Sequence, residues 1–332
     1  MRRFTATWGA IVGKKACQGL NRPDAAGGRG TTIRALLCLA LAFLPLWNPA
    51  WADDVADAAQ IARGAYLFSA AGCNACHTDK KHGGAQLGGG LALDTPFGRF
   101  YTPNISADPE HGIGRWSEAE FLRALQQGIG PDGSYYYPAF PYTSYTRAKP
   151  EDLLAIRAYI LSLPPTPTPN KPHELRFPFS WRALLGIWRF LNFTPGPVWV
   201  DYPGHDVAWN RGAYLTEALG HCAECHTPRG MLGGLERDLA YSGSTSALGI
   251  GRVPNITPDP QSGIGSWSKE QVIRALSDGA LPNFDYVGSG MGEVVGENTS
   301  KLTDADRAAI ADYLLSLKPI RNEAAKATQP GY

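Results

Sequence analysis

Four of the six cysteines in this 332-residue chain stand in two copies of one pattern, Cys73-Asn74-Ala75-Cys76-His77 and Cys222-Ala223-Glu224-Cys225-His226. Two thiols three positions apart can each add to one of the two vinyl groups of a porphyrin. The His directly after the second thiol then lies against the ring face, where it can bind the iron. C-x-x-C-H is the attachment signature of c-type haem. The spacing points to two covalently bound haem c groups, anchored by Cys73, Cys76, Cys222 and Cys225, with His77 and His226 as proximal iron ligands. A zinc site would need the two distant pairs to converge on one ion, and a thioredoxin-like redox pair would give the two histidines no role.

An iron held on one face by His takes a second ligand on the other, and a His/Met pair raises the reduction potential. The stretch from Pro103 to Phe140 recurs at a constant offset of 151, so Phe140 corresponds to Met291. Met291 stands in the Gly-rich segment Gly288-Ser289-Gly290-Met291-Gly292, which reads as a loop, and is the expected second ligand of the second haem. Phenylalanine cannot bind iron, and the only other methionines are Met1 and Met231. The first haem is therefore open on its distal side or bound by another group. The donors available are His82, His111, the tyrosines Tyr135, Tyr136, Tyr137 and Tyr142, and Met231 reaching across from the second half. His221 directly precedes Cys222 and is read as a neighbouring group, not a ligand.

The elements that must position these residues also come in two copies. Arg63-Gly64-Ala65-Tyr66-Leu67 recurs as Arg211-Gly212-Ala213-Tyr214-Leu215, Pro103-Asn104-Ile105 as Pro254-Asn255-Ile256, and Gly112-Ile113-Gly114 with Trp116 as Gly263-Ile264-Gly265 with Trp267. Each copy predicts a helix before the haem motif, over 57–71 and 207–220. A second helix starts at Ser117 or Ser268, where Glu120 and Gln271 complete capping boxes. A third spans 150–162 and 303–317, with Thr303 as N-cap. A Gly inside a helix costs about 1 kcal/mol relative to Ala, so Gly64 and Gly212 are expected at a close crossing with the last helix of each copy.

Between the copies lies Pro164-Pro165-Thr166-Pro167-Thr168-Pro169, a stiff spacer. It is followed by a helical stripe of Trp181, Leu184, Leu185, Trp188 and Leu191, with Arg182 and Arg189 off the stripe. That helix packs between the domains or docks on a partner or a membrane face. At the other end of the chain, basic residues precede an apolar run over 35–47 and then Ala50-Trp51-Ala52, the pattern of an export signal cut after Ala52. An uncleaved anchor is the alternative, against which the run is shorter than the ~20 residues that span a bilayer. Removing 1–52 takes Cys17, Cys38 and seven Lys/Arg against one Asp, and moves the net charge from +1 to −5. That balance argues against a nucleic-acid partner.

The expected organisation is an export signal over 1–52, a first domain over 57–163, a linker with an amphipathic helix over 164–206, a second domain over 207–320 and a tail over 321–332. The fold class is mainly α, two tandem class I cytochrome c-like domains joined by the Pro-rich linker and the short helix. No transmembrane helix is expected in the mature chain.

Thr95-Pro96-Phe97-Gly98, Pro103-Asn104-Ile105, Gly112-Ile113-Gly114-Arg115-Trp116, Tyr137-Pro138-Ala139-Phe140-Pro141-Tyr142 and Asn210-Arg211-Gly212-Ala213-Tyr214-Leu215 carry a resemblance. With them the chain resembles the multihaem cytochrome c subunits of periplasmic alcohol, aldehyde and nicotinate-type dehydrogenases. The resemblance implies a periplasmic electron carrier, peripheral to the inner membrane. It would take electrons from the catalytic subunit of a dehydrogenase and pass them to a quinone, a further cytochrome or a terminal oxidase. It assigns no catalytic residue. Many such subunits carry three haems, and this chain carries two motifs. The competing expectation is a dihaem oxidoreductase, peroxidase-like or thiosulfate dehydrogenase-like, that uses an open first haem.

Overall fold

Helices flank both haem motifs in the computed structural model, which describes residues 49–245 and 251–326. The export signal assigned to 1–52 lies outside the described residues as far as position 48. The first half runs α1 (Pro49–Ala70), α2 (Cys73–His77), a hairpin of β1 (Ala92–Thr95) and β2 (Gly98–Tyr101), α3 (Glu118–Gln127), α4 (Tyr142–Tyr145) and α5 (Pro150–Ser162). The connection holds β3 (Glu174–Leu175) and α6 (Leu184–Asn192). The second half runs α7 (Val207–Tyr214), a π-helical turn over Leu215–Leu219, α8 (Ala223–His226), α9 (Lys269–Ser277), α10 (Ser289–Glu297) and α11 (Asp304–Ser316).

The predicted starts are where the caps place them. Ser117 accepts from the Glu120 amide while the Glu120 side chain accepts from the Ser117 amide, and Ser268 with Gln271 does the same. Thr303 caps α11 by accepting from the Asp306 amide. The hairpin is not marked by strong alternation, and its third strand comes from the connection. Gly98 and Arg99 pair with Leu175 and Glu174.

Each half is built on one helix crossing. A Cβ on Gly64 would lie 1.9 Å from the Ala155 carbonyl oxygen on α5, and a Cβ on Gly212 would lie 1.9 Å from the Ala309 carbonyl oxygen on α11. The Arg that precedes each Gly grips an Asp on the same partner helix. Arg63 binds Asp152, and Arg211 binds Asp306 through Nε at 3.0 Å and Nη2 at 2.8 Å.

The Tyr two residues after each Gly crosses to the other half. Tyr66 Oη donates to Asp306 at 2.6 Å and accepts from the Thr303 amide at 3.1 Å. Tyr214 Oη donates to Asp152 at 2.7 Å and accepts from the Lys149 amide at 3.2 Å. The repeated Arg-Gly-Ala-Tyr segment thus makes a pseudo-two-fold interface inside one chain, self-complementary in the way of a symmetric dimer. From Asp53 onward the described residues form one compact unit, and a single apolar core cluster includes Leu67, Ile156, Leu215 and Ile310 from both halves.

The connection helix α6 begins at Leu184, later than the stripe suggests. Leu185 is buried, whereas Trp181 and Leu191 of the stripe are each 61% exposed. The two arginines hold the segment to the first half. Arg182 donates to the Tyr135 carbonyl, while Arg189 donates to the Gln127 carbonyl at 2.6 Å and stacks over Tyr135. Trp188 Nε1 donates to the Leu232 carbonyl of the second half at 2.8 Å.

Candidate functional site

Both haem motifs fold as single helical turns, α2 and α8, so that the His ends the turn that carries the thiols. In each, the imidazole is held by a backbone carbonyl. His77 Nδ1 lies 2.7 Å from the Pro103 oxygen, and His226 Nδ1 lies 2.7 Å from the Pro254 oxygen. A carbonyl can only accept, so Nδ1 carries the proton and Nε2 keeps the lone pair that a metal needs. Burial pushes the pKa of both imidazoles down, only partly offset by the carbonyl contact, and favours the neutral form. Burial also lifts the Cys73 and Cys222 thiols to about 12, each with a further rise from its neighbouring cysteine. This donor set fits haem c: two paired thiols that can become thioethers, and a neutral imidazole in the tautomer that presents Nε2.

The repeated Pro-Asn-Ile segment explains how the carbonyl is placed, a role that the repeat marked and that its meaning did not disclose. Asn255, fully buried, donates to the Ile320 carbonyl at 2.7 Å and to Ser262 Oγ at 3.0 Å, and accepts from the Thr257 amide at 2.8 Å. Asn104 donates to the Thr166 and Thr168 carbonyls at 2.7 and 2.9 Å and accepts from the Ser106 amide at 2.8 Å. Each Asn ties the His-orienting loop to the chain that follows the last helix of its half. The Asn255→Ala substitution leaves the buried Thr257 amide without its acceptor and takes one of two donors from the Ile320 carbonyl, which keeps the Thr257 hydroxyl. It is expected to cost about 2 kcal/mol and to lower the midpoint potential of the second haem alone, measurable by denaturant unfolding and redox titration.

The two motifs lie close to one another. The Ala71 carbonyl, just before the first motif, accepts from Tyr145 Oη at 2.9 Å and from His221 Nε2 at 3.3 Å. His221 packs edge-on against the Tyr145 ring at 5.5 Å. It is an interface residue between the two halves. Glu224, inside the second motif and 3% exposed, accepts from Thr143 and, at 3.0 Å, from Ser144 of the first half, and pairs with Arg229 at 2.6 Å.

Met291 lies on the first turn of α10, partly buried against the core. The sequence reading of a loop is corrected here: the segment is helical despite Gly290, Gly292 and Gly296, which together disfavour a helix by about 3 kcal/mol relative to Ala. Phe140 lies in the turn before α4, its ring 5.9 Å from Tyr136, 6.4 Å from Tyr142 and 5.8 Å from Tyr145. Of the other donors considered for the first haem, Met231 is 94% exposed, and His82 is paired with Asp79 at 2.9 Å. Tyr137 Oη donates to the Phe179 carbonyl at 3.0 Å. The Tyr142 hydroxyl is buried without a hydrogen-bond partner. Among the described residues, no three His, Cys, Asp or Glu side chains gather as a group that could hold a metal ion.

The family model for cytochrome c matches residues 61–164 and 210–318, one match on each half. A protein of Cereibacter sphaeroides named diheme cytochrome c-type is 43% identical over 258 residues, which are 77% of this chain and 85% of that protein. The fructose dehydrogenase cytochrome subunit of Gluconobacter japonicus is 42% identical over 77% of this chain and 52% of its own length. The cytochrome c subunit of the quinone alcohol dehydrogenase of Gluconacetobacter polyoxogenes is 40% identical over 80% of this chain and 57% of its own length. The chain thus spans a little over half of these two dehydrogenase subunits and most of the dihaem protein. On the matched halves and their two paired-thiol, carbonyl-held histidine sites, the chain belongs to the cytochrome c family and binds two haem c groups covalently.

Proposed function

We propose that this chain is a periplasmic dihaem electron-transfer subunit that serves a dehydrogenase. The observation that carries the reading is the repeated site, His77 on Pro103 and His226 on Pro254, each at 2.7 Å. Haem c supplies a one-electron iron couple when bound. Cys73, Cys76, Cys222 and Cys225 anchor it, and His77 and His226 present Nε2 to the two irons. The relatives named as dehydrogenase cytochrome subunits support a dehydrogenase as the electron source and this chain as a carrier without a catalytic residue of its own. A quinone, a further cytochrome or a terminal oxidase is the acceptor.

Each half is a class I cytochrome c-like domain, over 57–163 and 207–320, with the Pro-rich segment and α6 as the linker; the stretch after 320 expected as a tail packs on the second half through Asn322 and Ala325. Met291 is the second ligand of the second haem. Its thioether raises the potential of that site above the first, where Phe140 stands in the corresponding place. Export by the 1–52 segment places the protein in the periplasm. The exposed face of α6, with Phe190 87% exposed, supports peripheral contact with the inner membrane. No helix among the described residues is long and apolar enough to cross a membrane.

Carbon monoxide titration of the reduced holoprotein tests the asymmetry. One carbon monoxide per chain is expected, with the carbon-monoxide-binding haem the lower in potential. Two per chain would overturn Met291 as a ligand, and none would show that another donor replaces Phe140. Turnover of peroxide or thiosulfate by the isolated chain would overturn the carrier reading in favour of a dihaem enzyme.

A further inference from the structure

The helix that carries Met291 is poorly supported by its own sequence. Three glycines lie within α10, and its N-cap is Gly288, with no side chain to cap the first turn. Val295 is its one buried apolar side chain among those described. The side-chain hydrogen bonds and ion pairs that hold α10 come largely from the first half. Glu297 accepts from Asn74 Nδ2 at 2.8 Å and pairs with Lys80, and Glu293 pairs with Lys81 at 3.1 Å. Asn74 lies inside the first haem motif and is itself oriented, accepting from Thr78 Oγ1 at 2.9 Å. The end of α10 sits on the same segment, since a Cβ on Gly72 would lie 2.3 Å from Asn298 Nδ2. Within its own half, Glu297 is met by Lys301 at 3.1 Å. Hydrogen bonds from Lys80 and then Asn74 hold the Glu297 carboxyl down at about 2, so it stays ionised.

We infer that Glu297 is a positioning residue for Met291: by gripping Asn74 and Lys80 of the first haem-attachment segment, it holds α10 where Met291 serves the second iron. The sixth ligand of one haem is then set by the protein around the other. This rests on the reading of Met291 as that ligand. Loss of the grip frees a glycine-rich helix with little apolar anchorage, and the thioether leaves the iron for part of the population. The coupling also runs in the other direction. Any partner that displaces Lys80 or Asn74 at the first site loosens the ligand at the second.

The test uses the full-length holoprotein as Glu297→Gln, Lys80→Met, the double variant and Met291→Ala. Three signals are read: the ferric sulfur-to-iron charge-transfer band, the second midpoint potential, and carbon monoxide bound per chain. Met291→Ala should abolish the band. Glu297→Gln and Lys80→Met should each reduce it at least twofold, lower the second potential toward that of Met291→Ala, and increase carbon monoxide binding by up to one per chain over the parent. The double variant should be no worse than the stronger single one, because both act through one contact. Lys80 is largely exposed, so its variant reports even if Glu297→Gln folds poorly. If both variants keep the band and potential while Met291→Ala loses the band, the positioning role is wrong and the ligand stands. If Met291→Ala keeps the band, the ligand reading itself is wrong. A lower unfolding temperature with an unchanged second potential would reduce Glu297 to a structural contact and overturn the inference.

Discussion

Replacing Gly212 with alanine is expected to destabilise the second half by about 3 kcal/mol and to lower its unfolding temperature by roughly 8 °C. The new Cβ would sit 1.9 Å from the Ala309 oxygen, 2.4 Å from the Ala309 carbonyl carbon and 3.0 Å from the Ile310 nitrogen. All three are backbone atoms, so no side chain can turn away. The helix that bears them is locked in turn, with Ile310, Ala311 and Tyr313 buried on it. Two terms oppose each other. Alanine favours a helix over glycine by about 1 kcal/mol, and the overlap forces α7 and α11 apart, which opens the core between them. The overlap wins because the whole crossing must widen. Gly64→Ala meets the Ala155 oxygen at the same 1.9 Å and should behave alike in the first half. Gly296→Ala is the control. It lies in helix α10 with nothing within 4 Å of the added Cβ, so only the propensity term remains and the variant should gain about 1 kcal/mol. Thermal and urea unfolding of the three holoproteins, followed by circular dichroism, checks both the sign and the size.

The crossing shows what could be read from residues alone. A glycine repeated inside two helices that otherwise favour their fold is out of place unless something must come near, and the last helix of each copy was the available partner. The capping boxes were legible for a similar reason: Ser117 with Glu120, and Ser268 with Gln271, satisfy backbone groups within one turn. The haem motifs were legible because the chemistry fixes the spacing. What stayed hidden depends on distant chain. Gly288 to Gly292 reads as a loop by propensity, and it is helical because Asn74, Lys80 and Lys81 hold it from the other half. The hairpin of Ala92–Thr95 and Gly98–Tyr101 is completed by Glu174 and Leu175, more than seventy residues away. Residues past 320 read as a tail, yet the Ala325 carbonyl accepts from the Asn255 amide at 3.0 Å and Ala325 is fully buried. A repeat announces that two units exist and is silent on whether they face each other.

That they do face each other gives the second large effect. Changing both Tyr66 and Tyr214 to phenylalanine should cost about 4 kcal/mol, on the order of 2 kcal/mol for each hydrogen bond to a charged acceptor. Each hydroxyl donates to an Asp of the other half and accepts from the backbone amide at the start of that half's last helix. Phenylalanine keeps the ring packing, so the loss isolates the polar contact. The single variants should lose roughly half as much, since the two latches lie on different helices and couple weakly. Acid dependence distinguishes this from a packing defect. Burial pushes the Asp306 carboxyl up, but the hydrogen bonds from Arg211 and Tyr66 outweigh it and hold the group below its usual value. A carboxyl depressed in the folded state gives stability that is present above its unfolded pKa, about 3.9, and that is lost as pH falls through the folded value. The parent should therefore lose stability steeply below about pH 4. Tyr66→Phe removes one of the bonds that lower Asp306 and should flatten that slope while reducing stability at neutral pH. Denaturant unfolding at pH 7 and at stepped acid pH measures both. An unchanged acid slope in Tyr66→Phe would mean that Arg211 alone sets the Asp306 charge. The latch would then join the halves without sharing in their electrostatics.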